Sequence, residues 1–406
     1  MKPLPGLGDP EGKKRVLRLV NHLYGHPLAN AAFQELWVTI MEEFGFKVVD
    51  SAKTVFSYEE DGERMLVATV VDDSVVAYSD QRLYDKFKSF LEKKLPIAEC
   101  ELETICGMRV LRHDDGAISV DQKEYIEKKA KAFKCDDGRG RDVCSPMNNV
   151  FKFGPRPEVA DQKLISYARE LMGSLIYATL TRPDCKYSCS KLASVVTTPT
   201  EEDIDAMERA LKYLYATRST ALTFRPGPWK GPDGSVHEPL TITAFVDASF
   251  GQEEGRKSQT GFAIFSGWSR DFRSAQSGKQ TQVTDSTGYA ETIALHEAAN
   301  WVIVVRNHLA KMFAVQTGPT IMYEDNEVPI NVAHMGPGHR SMHWDVNKLQ
   351  YVTELEKRFK IIDVRKIDTK LQIADVLTKA LPIQRYLALS ALLLGSPVIF
   401  DDCEAV

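Results

Sequence analysis

Two acidic patterns in the sequence could do chemistry. One is a pair of neighbours, Asp72 and Asp73, in "VATVVDDSVVAYSD" (67–80), flanked by Val70–Val71 and by Val75, Val76 and Ala77. A hairpin turn favours polar residues, but two adjacent acids repel. The pair is either a plain turn or a place for a metal ion. The other pattern is dispersed: Asp247 in "AFVDASF", Glu291 in "YAETIAL", Asp325 in "YEDN" and Asp375 in "IADVLTK". Taken singly, Asp375 could cap a helix, Asp325 could open a turn and Glu291 could sit on a solvated helix face. Asp247 is harder to explain away, because a carboxylate inside an apolar strand is costly unless it is paired or metal-bound. Gathered in one cleft, four carboxylates repel unless cations compensate. Their hard oxygens suit Mg²⁺ or Mn²⁺. Two such ions about 4 Å apart activate a water and stabilise the leaving oxygen of a phosphodiester. The chemistry expected is metal-assisted hydrolysis.

The elements that would carry these acids follow from hydrophobic spacing. Residues 28–44 have apolar positions at helical intervals, and Gly45 stops the helix. The stretch 53–80 reads as three strands, with turns at Glu-Asp-Gly and at Asp72-Asp73. "QRLYDKFKSFLEKKL" is an amphipathic helix, and residues 105–133 read as a hairpin and a helix. Residues 164–217 are two or three helices broken by "TRPD" and "TTPT". The Pro/Gly-dense loop 225–239 marks the strongest domain boundary. Beyond it, three strands precede alternating helices and strands: a long helix over 288–312, a strand at "TIMYEDN", a helix over 342–359, a strand at "KIIDVRKID" and a closing helix at "QIADVLTKAL". That order gives a mixed sheet with helices on its faces. "YLALSALLLGSPVIF" reads as a buried terminal helix followed by an extended tail.

Composition narrows the class. The chain has 406 residues, 43% apolar and 26% charged, the profile of a globular protein with more than one domain. A net charge of -5 gives no global basic footprint, so nucleic-acid contact would use local patches. Seven cysteines without a CxxC pair argue against zinc and for reduced thiols. No apolar run is long enough to span a membrane, and an odd cysteine count with no secretory signal sets the expected location as intracellular: cytoplasm, particle or nucleus.

Residues 241–382 resemble the ribonuclease H domain of Ty1/copia-type retrotransposon Pol polyproteins, through "FVDASF", "GRKSQTGFAIFSG", "SAQSGKQTQVTDSTGYAETIALHEAA", "YEDN", "SMHWDV" and "IADVLTKALP". The resemblance implies that Asp247, Glu291, Asp325 and Asp375 are the catalytic metal ligands, holding Mg²⁺ or Mn²⁺. It also implies that the substrate is an RNA–DNA hybrid. In similar proteins a second Glu stands two residues before the helix Glu; here that position is Tyr289. Loop and helix cations suited to phosphates are Arg256, Lys257, Lys279, Arg340 and Lys348.

Upstream, "RVLRLVNHLYG", "VVDD", "CGMRV", "AISVDQKEYIEK", "LMGSLIYATLTRPD" and "ALKYLYAT" resemble the reverse transcriptase half of the same polyproteins. That implies an α+β palm and connection fragment followed by an α/β ribonuclease H-like fold with a mixed five-stranded sheet and flanking helices. The expected division is a partial reverse transcriptase, palm and thumb-like, over 1–150; a helical connection over 151–224; a linker over 225–239; and the ribonuclease H-like domain over 240–400. Asp72 and Asp73 then fall on two of three metal-holding palm aspartates, with Val70 where similar proteins have Tyr. The third palm aspartate and the fingers have no counterpart, so polymerase activity is expected to be lost. The expected partners are an RNA–DNA hybrid or other nucleic acid, the missing N-terminal Pol portion, and no membrane. The competing reading is an inactive, decayed retroelement fragment that at most binds nucleic acid.

Overall fold

A computed structural model describes residues 29–136, 143–158, 161–231, 234–238, 240–266, 269–338 and 345–395. Arg340 lies outside these residues, as does the tail expected beyond 395. The chain forms two compact units that divide between Leu102 and Glu103.

In the first unit, helix α1 (Ala29–Phe44) stops at Gly45, whose φ of 111° lets its N–H reach back to the carbonyl of Met41. Four antiparallel strands follow in sheet order: β1 (Lys47–Val48), β2 (Val55–Glu60), β3 (Glu63–Val70) and β4 (Asp73–Tyr78). Helix α2 (Gln81–Glu92) begins at Asp80, whose carboxylate accepts from the N–H groups of Arg82 and Leu83. Trp37, Met41, Phe56, Val67 and Phe87 fill the core between helices and sheet. The three strands read from 53–80 are β2, β3 and β4.

The second unit opens with β5 (Thr104–Ile105), β6 (Met108–Arg112), β7 (Ile118–Asp121) and helix α3 (Lys123–Ala132). Helices α4 (Gln162–Ala178), α5 (Lys186–Ala193) and α6 (Glu201–Ala216) follow, and then β8 (Leu222–Phe224). β8 pairs with β7, Val120 opposite Leu222, and completes a four-stranded antiparallel sheet. Residues 103–150, grouped by sequence with those before them, thus lie in one compact unit with the helices after them. β8 has only three residues and carries no periodic signal of its own. A small ribbon, β9 (Trp229–Lys230) with β10 (Val236–His237), lies inside the Pro/Gly-rich loop.

The remaining strands are β11 (Ile242–Glu253), β12 (Lys257–Ser266), β13 (Ser269–Lys279), β14 (Thr320–Glu324) and β15 (Ile362–Lys366). They form one sheet in the order β13–β12–β11–β14–β15. β11, β12 and β13 are antiparallel neighbours, while β14 and β15 run parallel to β11. This is the mixed five-stranded sheet expected from the sequence. Its helices are α7 (Thr287–Lys311), α8 (Glu327–Met335), α9 (Val346–Lys357) and α10 (Ile383–Leu393).

Alternation along β11 assigns the two faces. Ile242, Ala244, Val246 and Ala248 share a core with Ala290, Ala294, Ala298 and Val302 of α7. Phe245 belongs with Phe265, Ala275 and Tyr323 to a second core, built largely by α4, α5, α6 and α10. The connecting helices are therefore the other cover of the sheet. Arg182 and Asp184, both fully buried, tie this layer together. The guanidinium donates to both carboxylate oxygens of Asp184, at 2.7 and 3.0 Å, and to the carbonyl of Thr217. Tyr213 and Tyr386 donate their hydroxyls to the same carboxylate. Every polar group of the pair is used, which is what lets the charges be buried.

Two elements differ from the sequence reading. "QIADVLTKAL" is a short 3₁₀ turn (Ile373–Leu377) rather than a closing helix. Gln372 caps it and also donates from Nε2 to the carbonyl of Val246 at 2.8 Å, pinning the turn against the sheet. Helix α8 has no counterpart in the sequence reading, and it contains Pro329. The proline falls at the third helical position after the Asn326 cap, where a missing N–H costs nothing.

Candidate metal centre

Asp247 sits midway along β11, opposite Gly261 of β12. Glu291 is in the opening turns of α7, a helix started by Ser286, whose hydroxyl accepts from the N–H of Tyr289. Asp325 directly follows β14. Packing of α7 on β11, and of β14 beside it, brings one ligand oxygen from each acid within 4.8 Å of the other two. Asp247 and Glu291 are buried, and Asp325 is half-buried. The sequence named these three, and the fold gathers them.

Asp375 is adjacent but differently engaged. It is fully buried, and its carboxylate pairs with Lys379 at 2.6 Å and with Arg385. Lys379 also lies 3.5 Å from Asp247, so one ammonium bridges two of the four acids. Thr378 donates its hydroxyl to the Asp247 carboxylate and fixes one of its oxygens.

Electrostatics separate this cluster from an ordinary surface patch. Burial, with Asp375 next to it, pushes the Asp247 carboxyl up to about 8. Burial also raises Glu291 well above the usual carboxylate range, with Glu324, Asp247 and Asp325 adding repulsion. The Glu291 Oε2 is buried without a hydrogen-bond partner. Such an arrangement is costly for the protein alone and is relieved by a cation. All donors are carboxylate oxygens, the set that suits Mg²⁺ or Mn²⁺. The residues present therefore fit a hard divalent ion.

Glu324 escaped the sequence reading. It is the last residue of β14 and fully buried. Its Oε1 accepts from the N–H groups of Asp325 and Asn326, both at 3.1 Å, while Oε2 is orphaned. Burial, together with Asp247 and Asp325, raises its carboxyl as well. The signal was the second acid of "YEDN", read only as the neighbour of Asp325. Tyr289, where similar proteins carry Glu, faces elsewhere: its hydroxyl accepts from Gln282 and from the N–H of Asp345.

Asp72 and Asp73 are both exposed, at the β3–β4 turn. Among the described residues they join no group of three potential ligands. Val71 holds φ of 59° in that two-residue turn, a strained conformation for a β-branched residue. Of the expected phosphate contacts, Arg256 is exposed, Lys257 and Lys279 are half-buried, and Lys348 pairs with Asp345 at 3.3 Å. Lys257 and Lys279 stand at the same end of the β12–β13 pair, Gln259 lying opposite Lys279.

Sheet and acids together define an α/β unit with a carboxylate cluster whose donors fit a hard cation. Residues 1–148 match the reverse transcriptase (RNA-dependent DNA polymerase) family. A transposon Ty5-1 protein of Saccharomyces cerevisiae is 23% identical over 263 residues, 64% of this chain and 81% of that protein. The retrovirus-related Pol polyprotein from transposon RE1 of Arabidopsis thaliana is 23% identical over 393 residues, 94% of this chain and 25% of the polyprotein. A transposon Ty1-DR5 Gag-Pol polyprotein of S. cerevisiae is 21% identical over 406 residues, 95% of this chain and 22% of its own length. The chain thus spans about a quarter of the Pol polyproteins it matches. Residues 1–148 are thus similar to reverse transcriptases, and nearly the whole chain is similar to retrotransposon Pol polyproteins.

Proposed function

We propose that residues 240–400 form a ribonuclease H-like domain that cuts the RNA strand of RNA–DNA hybrids with Mg²⁺ or Mn²⁺. The observation that carries this reading is the convergence of Asp247, Glu291 and Asp325 in a largely buried cluster that Lys379 compensates only in part. These three would hold the ion, with Asp375 next to them. A bound ion supplies Lewis-acid activation of water and stabilisation of the leaving oxygen. The chain's own part is positioning. Thr378 orients Asp247, two backbone N–H groups fix Glu324 behind Asp325, and burial keeps bulk water from the carboxylates.

The domain organisation proposed with it places reverse transcriptase sequence over 1–150, a helical connection over 151–224, and the nuclease after the 225–239 loop. Asp72 and Asp73 are expected to support no primer extension by this chain alone, because they are exposed and join no group of three acids among the described residues. The test is incubation of the full chain with a labelled RNA–DNA duplex and Mg²⁺ or Mn²⁺. Cleavage is expected, and Asp247→Asn is expected to abolish it. Equal product from chain and variant would sink the reading in favour of a non-catalytic retroelement protein.

A further inference from the structure

A cavity of about 800 Å³ opens beside the acid cluster. Its walls come from the extended segment 147–156, from α5, from Gln252 of β11 and from Lys379–Ala380. Lys379 is shared with the metal centre, where it sits 3.5 Å from Asp247. Lys379 therefore links the cavity wall to the acid cluster.

Its lining alternates aromatic rings and cations. Phe151 and Phe153 pack edge to face with centroids 5.4 Å apart. Arg156 lies over the Phe153 ring at 5.2 Å and is anchored by Asp203 at 2.5 Å. Lys191 lies 5.8 Å from the Phe153 ring and 5.6 Å from the Tyr187 ring, and donates to the Tyr187 hydroxyl. Lys152 is exposed. A chain of net charge -5 thus concentrates Lys152, Arg156, Lys191 and Lys379 around one groove. The "FKFGPRPE" segment that builds it reads, by sequence, only as a Pro-rich linker.

We propose that this groove seats the sugar–phosphate backbone of the strand leading into the metal centre. The proposal rests on the nuclease reading for its substrate. Phosphates carry one charge per nucleotide, and cations along a groove bind them without regard to sequence. Aromatic rings between the cations offer apolar contact to sugars and bases while holding the lysine stems in place. Asp203 rigidifies the wall by fixing Arg156, while exposed Lys152 and ring-packed Lys191 place two more ammonium groups along it.

The test is fluorescence anisotropy with a labelled RNA–DNA hybrid and the full chain in EDTA, across a salt titration. The double variant Lys152→Ala/Lys191→Ala is expected to weaken binding on the order of tenfold. It should also flatten the slope of log affinity against log salt by about 0.7–0.9 for each lost phosphate contact. Lys152→Arg/Lys191→Arg should restore both. An unchanged melting temperature shows that the alanine variant is folded; if the arginine pair fails to rescue, the loss is structural and the proposal falls. Wild-type affinity and slope in the alanine variant would also overturn it. Cleavage by the unmodified chain is read in parallel after Mg²⁺ is added: its absence overturns the nuclease reading alone, whereas wild-type affinity and slope in the alanine variant overturn the groove alone.

Discussion

Asp72 and Asp73 are adjacent in the chain and end up in water, at a strained turn, joining no group of three potential ligands among the described residues. Asp247, Glu291 and Asp325 come from a strand, a helix and a strand end, and finish within 4.8 Å of one another. A third case lies between them: Asp184 is as buried as Asp247, yet Arg182 and two tyrosines satisfy it. Burial alone does not mark a working carboxylate. Burial with incomplete compensation is the better marker, because the fold bears that cost only where something else relieves it.

The comparison breaks most easily at Asp247. Asp247→Asn should lower hybrid cleavage by a factor on the order of 10³. It should also stabilise the metal-free protein by on the order of 1 kcal/mol, since a neutral isostere removes repulsion. Asp72→Asn and Asp73→Asn should leave cleavage unchanged and stability within about 0.5 kcal/mol. Asp184→Ala should do the opposite of Asp247→Asn: a loss of about 3–5 kcal/mol in urea unfolding, from an arginine stranded in the core.

Gly261→Ala sharpens the contrast by moving one neighbour. A Cβ there would lie 2.4 Å from Thr378 Cγ2 and 2.9 Å from Leu377. The expected cost is about 1–3 kcal/mol, with weaker Mn²⁺ binding by calorimetry because Thr378 no longer orients Asp247.

Proton linkage gives a smaller effect with a definite sign. The folded Asp247 holds its proton up to about pH 8, against an ordinary value of 3.8, so the folded state binds the extra proton in that window. Without divalent cations, stability therefore falls as pH rises from about 4 to about 8. Melting curves in EDTA should show this slope for the wild type and a shallower one for Asp247→Asn. Metal binding at pH 7 should release protons, measurable by calorimetry in buffers of different ionisation enthalpy. The smallest expected effect is Val71→Gly, a gain of about 1 kcal/mol from relieving the left-handed valine.

The five strands of the second sheet and their order were legible because apolar runs, turn residues and the long helix recur in an unambiguous sequence. Three of the four acids were legible as a cluster for the same reason: each stands at a strand or at a helix start. Glu324 was not, since adjacent acids at a strand end look like one turn signal. The Lys379 and Arg385 partners of Asp375 were not either, because the 3₁₀ turn that aims them depends on Gln372 reaching the carbonyl of Val246. β8 was hidden by its length, and its partner lies about a hundred residues away in the chain.

The sharing of one core between α4–α6 and the sheet has a consequence for dissection. A cut in the 225–239 loop, where composition suggests an independent module, would strip the sheet of one cover. Phe245, Phe265 and Tyr323, each nearly or fully inaccessible now, would face solvent together. The excised piece would be a sticky half-sandwich, prone to self-association through that bare face. The helices between the two sequence-defined halves are thus not a tether but a wall of the five-stranded sheet's own core.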